Sequence, residues 1–249
     1  MKKMFLLACT LCLSVCAMAQ TAFYVYQTDG SRVKFTIADV DSISFTVPKA
    51  AIENGHEWVD LGLPSGLKWA TCNVGATAPE EYGDYFAWGE ITTKSSYNWS
   101  TYKWCNGDYN NLTKYNTNSN YGIVDNKTTL DPADDVAAAN WGGKWRMPTD
   151  DEWTELRENC AWTWTADYQG TSIAGCIVTG PNGNSIFLPA AGYRVDDYLY
   201  NAGSYGLYWS SSLNTDSPDY AWYVNFYSDN VGRNYICRYL GRSVRPVVK

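Results

Sequence analysis

The side chains able to do chemistry are few in kind and scattered along the chain. There is a single histidine, His56, which excludes a His-based metal triad and leaves room for at most one Ser-His or Cys-His couple. It stands beside Glu57 and Trp58 at the start of a domain and reads as structural or solvent-facing. Of eight cysteines, Cys9, Cys12 and Cys16 lie in an N-terminal leader. The other five, Cys72, Cys105, Cys160, Cys176 and Cys237, are too widely spaced for a C-x-x-C metal or redox site. Their odd number leaves at least one thiol unpaired, and the expectation is between none and two disulfides. Acids are plentiful enough for a carboxylate pair that cleaves glycosides, yet no pair is marked out by its surroundings. Asp131, Asp134 and Asp135 have the oxygen chemistry of a calcium site but read better as the acidic start of a helix over "ADDVAAANW". In "WRMPTDDEWTELRENC", Thr149 is a helix N-cap with Glu152 three residues on, a capping box. Asp150, Asp151 and Glu152 therefore serve a helix dipole rather than catalysis.

What the chain has in abundance is binding chemistry. It carries 20 tyrosines and 12 tryptophans, and tyrosine offers a large contact area at low conformational cost with a hydroxyl for hydrogen bonds. They crowd toward the C-terminus. "AWYVNFY" alternates, which predicts a strand with Trp222, Val224 and Phe226 facing in and Ala221, Tyr223, Asn225 and Tyr227 facing out. "SDN" makes a turn, and residues 231–239 return antiparallel beside the same patch. The expected ligand-binding residues are Tyr205, Tyr220, Tyr223, Tyr227, Asn234, Tyr235, Ile236 and Tyr239. Ile236 and Leu240 have no core role that the alternation demands. Arg233, Arg238 and Arg245 are expected to brace the scaffold by pairing with acids.

These residues need a scaffold and an address. Residues 1–19 have two lysines, an apolar run and a small-x-small ending, Ala17-Met18-Ala19, the pattern of a signal peptide cut before Gln20. The apolar run from Met4 to Ala17 falls short of the ~20 residues a membrane span needs. Lipidation of Cys16 is the minor alternative. Loss of Lys2 and Lys3 with the leader takes the formal charge from −7 to −9, which argues against a nucleic-acid partner. Residues 20–47 form a small β unit, "FYVYQ" and "RVKFTI" around an Asp29-Gly30 turn, followed by a third strand. Residues 48–55 are a linker. Residues 56–249 form one α+β domain, loop-rich, with short antiparallel strands and one or two helices. Within it, 97–126 is a long ordered insertion rich in Asn, Thr, Tyr and Ser.

Six phrases then occur in order: "VDLGLPSGLKWATCNVGA", "YGDYFAWGE", "WGGKWRMPTDDEW", "NSIFLPAAGYR", "GLYWSSS" and "SVRPV". Together they resemble the exported bacterial domains known as Fibrobacter succinogenes major paralogous domains. The resemblance implies a C-type-lectin-like fold, in the branch shared with formylglycine-generating enzymes. Those enzymes use a close pair of cysteines near the chain end, whereas here Cys237 stands alone after Cys176. The family often has a cysteine where this chain has Asn116, so Cys105 lacks the partner it would have elsewhere. The calcium-sugar motifs E-P-N and W-N-D are absent. The tail also resembles the variable proteins of diversity-generating retroelements, whose last strands are rewritten at asparagine codons. Tyr205, Leu207, Ser217, Asp219, Tyr220, Tyr223, Tyr227, Gly232, Asn234, Tyr235, Ile236, Cys237, Tyr239 and Leu240 all belong to the set such rewriting can reach. Between them stand scaffold residues such as Trp209, Trp222 and Phe226. The reading is an exported, adhesin-like or receptor-like, non-enzymatic protein without a cofactor, at the cell surface, outside the cell or in the periplasm, binding an unknown protein or glycan ligand. The alternatives are a formylglycine-generating-like or glycan-active enzyme, or a passive cell-surface assembly subunit.

Overall fold

A computed structural model describes residues 22–26, 32–39 and 51–249. The expected leader at 1–19, the expected Asp29-Gly30 turn and the third strand expected after residue 39 lie outside the described residues. The chain divides into two compact units, Met1–Lys49 and Ala50–Lys249. In the first, β1 (Ala22–Tyr26) pairs antiparallel with β2 (Arg32–Thr36), and a 3-10 turn follows at Ile37–Asp39.

The second unit is α+β and loop-rich, as its many turn residues and short apolar runs require. Its first strands are β3 (Ala51–Glu53), β4 (His56–Asp60) and β5 (Lys68–Ala70). β3 comes from residues read as linker. Two helices follow, α1 (Val136–Trp141) and α2 (Asp150–Asn159). Asp135 caps α1 through the N–H groups of Ala137 and Ala138. The capping box of α2 forms as expected: Thr149 accepts from the Glu152 N–H, and Glu152 accepts from the Thr149 N–H at 2.8 Å. Trp153 and Leu156 face the core. The 97–126 insertion is ordered by turns and two single-turn 3-10 helices, not by strands.

Next come β6 (Ala161–Thr165), β7 (Gly175–Thr179) and β8 (Ser185–Pro189), an antiparallel three-stranded sheet. A hairpin follows, β9 (Tyr193–Val195) with β10 (Tyr198–Tyr200). β11 (Gly206–Leu213), β12 (Tyr220–Tyr227) and β13 (Asn230–Cys237) form the second three-stranded sheet, in that order, with β13 at its edge. The last strand, β14 (Val247–Val248), pairs with β5, completing a four-stranded sheet β14-β5-β4-β3. The end of the chain thereby closes on the start of the unit.

β11 and β12 are sandwiched between two apolar clusters. Trp209, Leu213, Ala221 and Tyr223 join one, with Trp88, Trp145 and Val244. Tyr208, Val224 and Phe226 join the other, with Trp69, Trp153 and Leu188. Gly206 sits opposite Phe226, where a Cβ would fall within 1.9 Å of the ring; only glycine lets the two strands close there.

Candidate functional site

The scaffold beneath the tail is held by arginines that the surrounding residues have removed from water. Arg245 is fully buried and donates to Asn73 Oδ1 (2.9 Å) and to the carbonyls of Ala70 (2.9 Å), Thr71 (2.6 Å) and Phe187 (2.9 Å). Arg238 is also fully buried. It donates to the Tyr115 carbonyl at 2.7 Å, and its guanidinium lies 5.3 Å from the rings of both Trp88 and Tyr102. Arg242 packs 3.6 Å over the Tyr223 ring and 5.0 Å from Trp209, and burial brings its pKa down to about 10. The expected bracing is thus real for Arg238 and Arg245, but carbonyls and aromatic faces do it, not acids. Of the three arginines expected to brace the tail, only Arg233 pairs with an acid: its Nε donates to Asp150 Oδ1 at 2.7 Å.

The outward face expected of β12 is corrected. Tyr223 is 8% exposed and Ala221 is fully buried, because β12 is the central strand of its sheet and covered on both sides, so alternation does not separate core from solvent. Trp222, expected inside, is half-buried, with the Arg233 guanidinium 3.6 Å over its ring. Leu240, Leu207 and Asp219 are buried as well. Ile236 is half-buried against the first cluster. Tyr239 is half-buried, edge-on to Trp99 at 5.0 Å, and burial raises its phenol pKa.

The remaining residues form two groups. Tyr235 is 43% exposed; it stacks on Tyr220 (5.7 Å, 22°) and meets Trp222 edge-on (5.1 Å). Asn234 beside it is exposed, and its Oδ1 accepts the Tyr235 N–H at 2.8 Å. Tyr205 and Tyr227 pair at 5.3 Å near the far end of β12. Tyr220 and Tyr227 are seven steps apart along the strand, about 23 Å, and this odd spacing sets them on opposite faces. Tyr227 borders a cleft of 240 Å³ with Trp162, Trp164 and Asp229.

Exposed aromatics also stand outside the expected tail surface. Tyr198, Leu199 and Tyr200 project from the β9–β10 hairpin, Tyr198 at 63% exposure. In the insertion, Tyr109 is exposed and meets Tyr121 at 6.4 Å. Tyr121 in turn lies close enough to Tyr220 to help raise its phenol pKa, after Cys237 and Asp219. The run "YLYNAGSY" and the tyrosines of the insertion were the available signals.

The chemically reactive residues are dispersed. His56 stacks on Trp141 at 3.7 Å, and desolvation lowers its pKa. It lines a 470 Å³ cleft with Glu57, Thr71 and Cys72. Asp131 and Asp134 are bonded to Lys114, and Asp135 caps α1. Among the described residues no three or more of His, Cys, Asp and Glu gather as a metal site would require. Each of the five cysteines is unpaired, and the buried Cys105 thiol donates to the Trp99 carbonyl. Asn116, fully buried, leaves its Nδ2 without a protein partner. Among the described residues no helix is long and apolar enough to cross a membrane.

The arrangement is that of an α+β, loop-rich domain whose arginine-pinned interior carries an aromatic surface. The chain belongs to the Lcl C-terminal domain family, which matches residues 62–248, three quarters of its length. That membership is consistent with the major-paralogous-domain resemblance of the six phrases. No curated protein and no solved structure matches the chain.

Proposed function

We propose that this is an exported, cell-surface ligand-binding protein whose tail displays a tyrosine-rich contact surface for a protein or glycan. The observation that carries the reading is the Tyr220, Trp222 and Tyr235 group, three aromatic side chains left at least partly open where the edge strand β13 meets the core-locked strand β12. Rigid aromatics presented on a fixed scaffold bind at low entropic cost. Family membership supports a cell-surface role. The C-type-lectin-like fold and descent from a retroelement-diversified protein belong to the same proposal. The irregular tail fits them at Tyr220, Asn234 and Tyr235, which are at least partly exposed, and fits less well at Tyr223, Leu207 and Leu240, which the core holds.

The proposal includes a non-catalytic role, which the stacking of His56 on Trp141 and the dispersal of the cysteines support. The test is a glycan and protein-ligand array probed with the mature chain, followed by the Tyr220→Ala/Tyr235→Ala double variant. Loss of ~2 kcal/mol or more per residue is expected if both are hot spots, with the fold intact. A ligand whose binding ignores both substitutions places the site elsewhere, and the Tyr109–Tyr121 region of the insertion is then the next surface to test.

A further inference from the structure

β13 is the outer strand of its sheet, and its register with β12 is continuous over eight residue pairs, from Tyr227 opposite Asn230 to Tyr220 opposite Cys237. The Arg238 N–H donates to the Asp219 carbonyl at 3.1 Å, one step beyond that register. In an antiparallel pair the hydrogen-bonded positions alternate. The even-numbered residues therefore turn their N–H and C=O toward β12, and Val231, Arg233 and Tyr235 turn theirs to the open edge. The Tyr235 N–H agrees: it is met by the Asn234 side chain rather than by β12.

Natural edges are blunted by lysine, proline, bulges or short length. β13 has eight residues, no lysine, no proline and no bulge. Its one charge, Arg233, is folded back over Trp222 and paired with Asp150, so it does not guard the edge. Among the described residues the only plug is the Asn234 amide, one side-chain rotation from release.

From this we infer that the tyrosine surface takes its ligand by strand addition: an extended peptide segment of a partner protein pairs with β13 as a fourth strand. This rests on the binding reading above and narrows it from protein or glycan to an extended peptide. Main-chain bonds to Val231, Arg233 and Tyr235 supply affinity, and alternate side chains supply selectivity. One set meets Tyr235, with Tyr220 and Trp222 behind it, and is apolar or aromatic; the other meets Asn234 and Ile236 and is small, polar or β-branched. The segment has no proline. It is neutral to basic, because the chain carries a net charge of −7 and Asp229 and Asp219 flank the two ends of β13 while Arg233 is already neutralised.

The experiment screens the full mature chain against a library of synthetic proline-free decapeptides of varied charge. Hits are remeasured with Tyr235→Ala and Tyr235→Pro, and then as peptides N-methylated at alternate amides. Proline at 235 removes an N–H that points outward and leaves the β12 ladder intact; circular dichroism checks that it folds, and the N-methyl series makes the same test on the unaltered protein. The expected result is enrichment of β-prone, neutral-to-basic peptides. Tyr235→Pro binds them at least ten-fold more weakly than Tyr235→Ala, and methylation in one register alone abolishes binding. An absence of enriched peptides overturns the inference, as do equal affinities for the two variants or insensitivity to methylation. A glycan held equally by Tyr235→Pro and Tyr235→Ala, or a self-association that Tyr235→Pro abolishes while peptides stay unbound, overturns it too. If a ligand is lost in Tyr220→Ala/Tyr235→Ala yet binds Tyr235→Pro and Tyr235→Ala equally, the binding surface stands and strand addition falls. If it ignores all these variants, both fall.

Discussion

At the residue scale, arginine and tyrosine divide the tail between them, and burial decides which does what. Arg245 spends its planar fork on one side-chain oxygen and three carbonyls from separate stretches of chain. Lysine carries the charge but not the fork. Arg245→Lys is therefore expected to cost about 3 kcal/mol or more, because carbonyls are left unpaired around a buried ammonium; the urea midpoint of the variant checks it. Tyrosine shows the complementary contrast. Tyr223 lies between Trp209 and Arg242, and Tyr223→Ala is expected to cost ~3–5 kcal/mol, in the range of large aromatic truncations. Tyr235→Ala removes an exposed ring and is expected to cost within about 1 kcal/mol. Thermal melts that rank the two the other way would mean that Tyr223 has no core role.

At the scale of elements, local signals were legible and sheet position was not. The capping box of α2 could be read directly because its chemistry is contained in four consecutive residues, Thr149 to Glu152. Thr149→Ala should lower stability by ~1 kcal/mol, a typical capping loss, measurable as a shift in the thermal midpoint. The strand β12 and its return β13 were also legible, because alternation and a turn at "SDN" suffice to find a hairpin. Which side of β12 meets solvent was not, because that depends on residues far away in sequence, Trp88 and Trp145 in one cluster and Trp69, Trp153 and Leu188 in the other, which cover its two faces. Ala221, Tyr223 and Leu240 were misassigned for that one reason. The same limit applies to the linker. Nothing in Ala51–Glu53 announces a strand, and it becomes one only because β4 offers an edge. The candidate surface was accordingly readable at Tyr220, Asn234 and Tyr235; in the β9–β10 hairpin and the insertion the tyrosines were visible, but which of them are exposed depends on turns that alternation does not reveal.

At the scale of the whole molecule, the second unit concentrates neutral acids in its interior, and this sets how its stability responds to pH. Burial pushes the thiols of Cys160 and Cys237 up to about 11 and that of Cys176 up to about 12, from an ordinary 9.0. Burial likewise raises the phenols of Tyr208 and Tyr115 to about 12, from 10.0. For each group the folded pKa lies above the unfolded one. The stabilising contribution is therefore complete below pH 9 and is lost as pH climbs toward 11 and 12, because the unfolded chain releases the proton first. On the acid side, burial raises the Glu152 carboxyl, but hydrogen bonds from Arg146 and the Thr149 N–H overcome it and hold the pKa below 4.5. That contribution is present above about pH 4.5 and is lost as pH falls below it. His56, whose pKa burial lowers from 6.5, adds a loss as pH falls through about 6.5, because the unfolded chain takes up that proton first. The thermal midpoint should thus be flat from about pH 7.5 to 8.5, decline on the acid side and fall above 9. The fully buried Cys176 alone contributes a slope of about 1.4 kcal/mol per pH unit between its two pKa values. Melts from pH 5 to 11 under reducing conditions test this, with Cys176→Ala as the control. The variant starts lower for its lost packing and falls less steeply above pH 9. Parallel alkaline limbs in the two proteins would show that the Cys176 thiol titrates alike in the folded and unfolded chain.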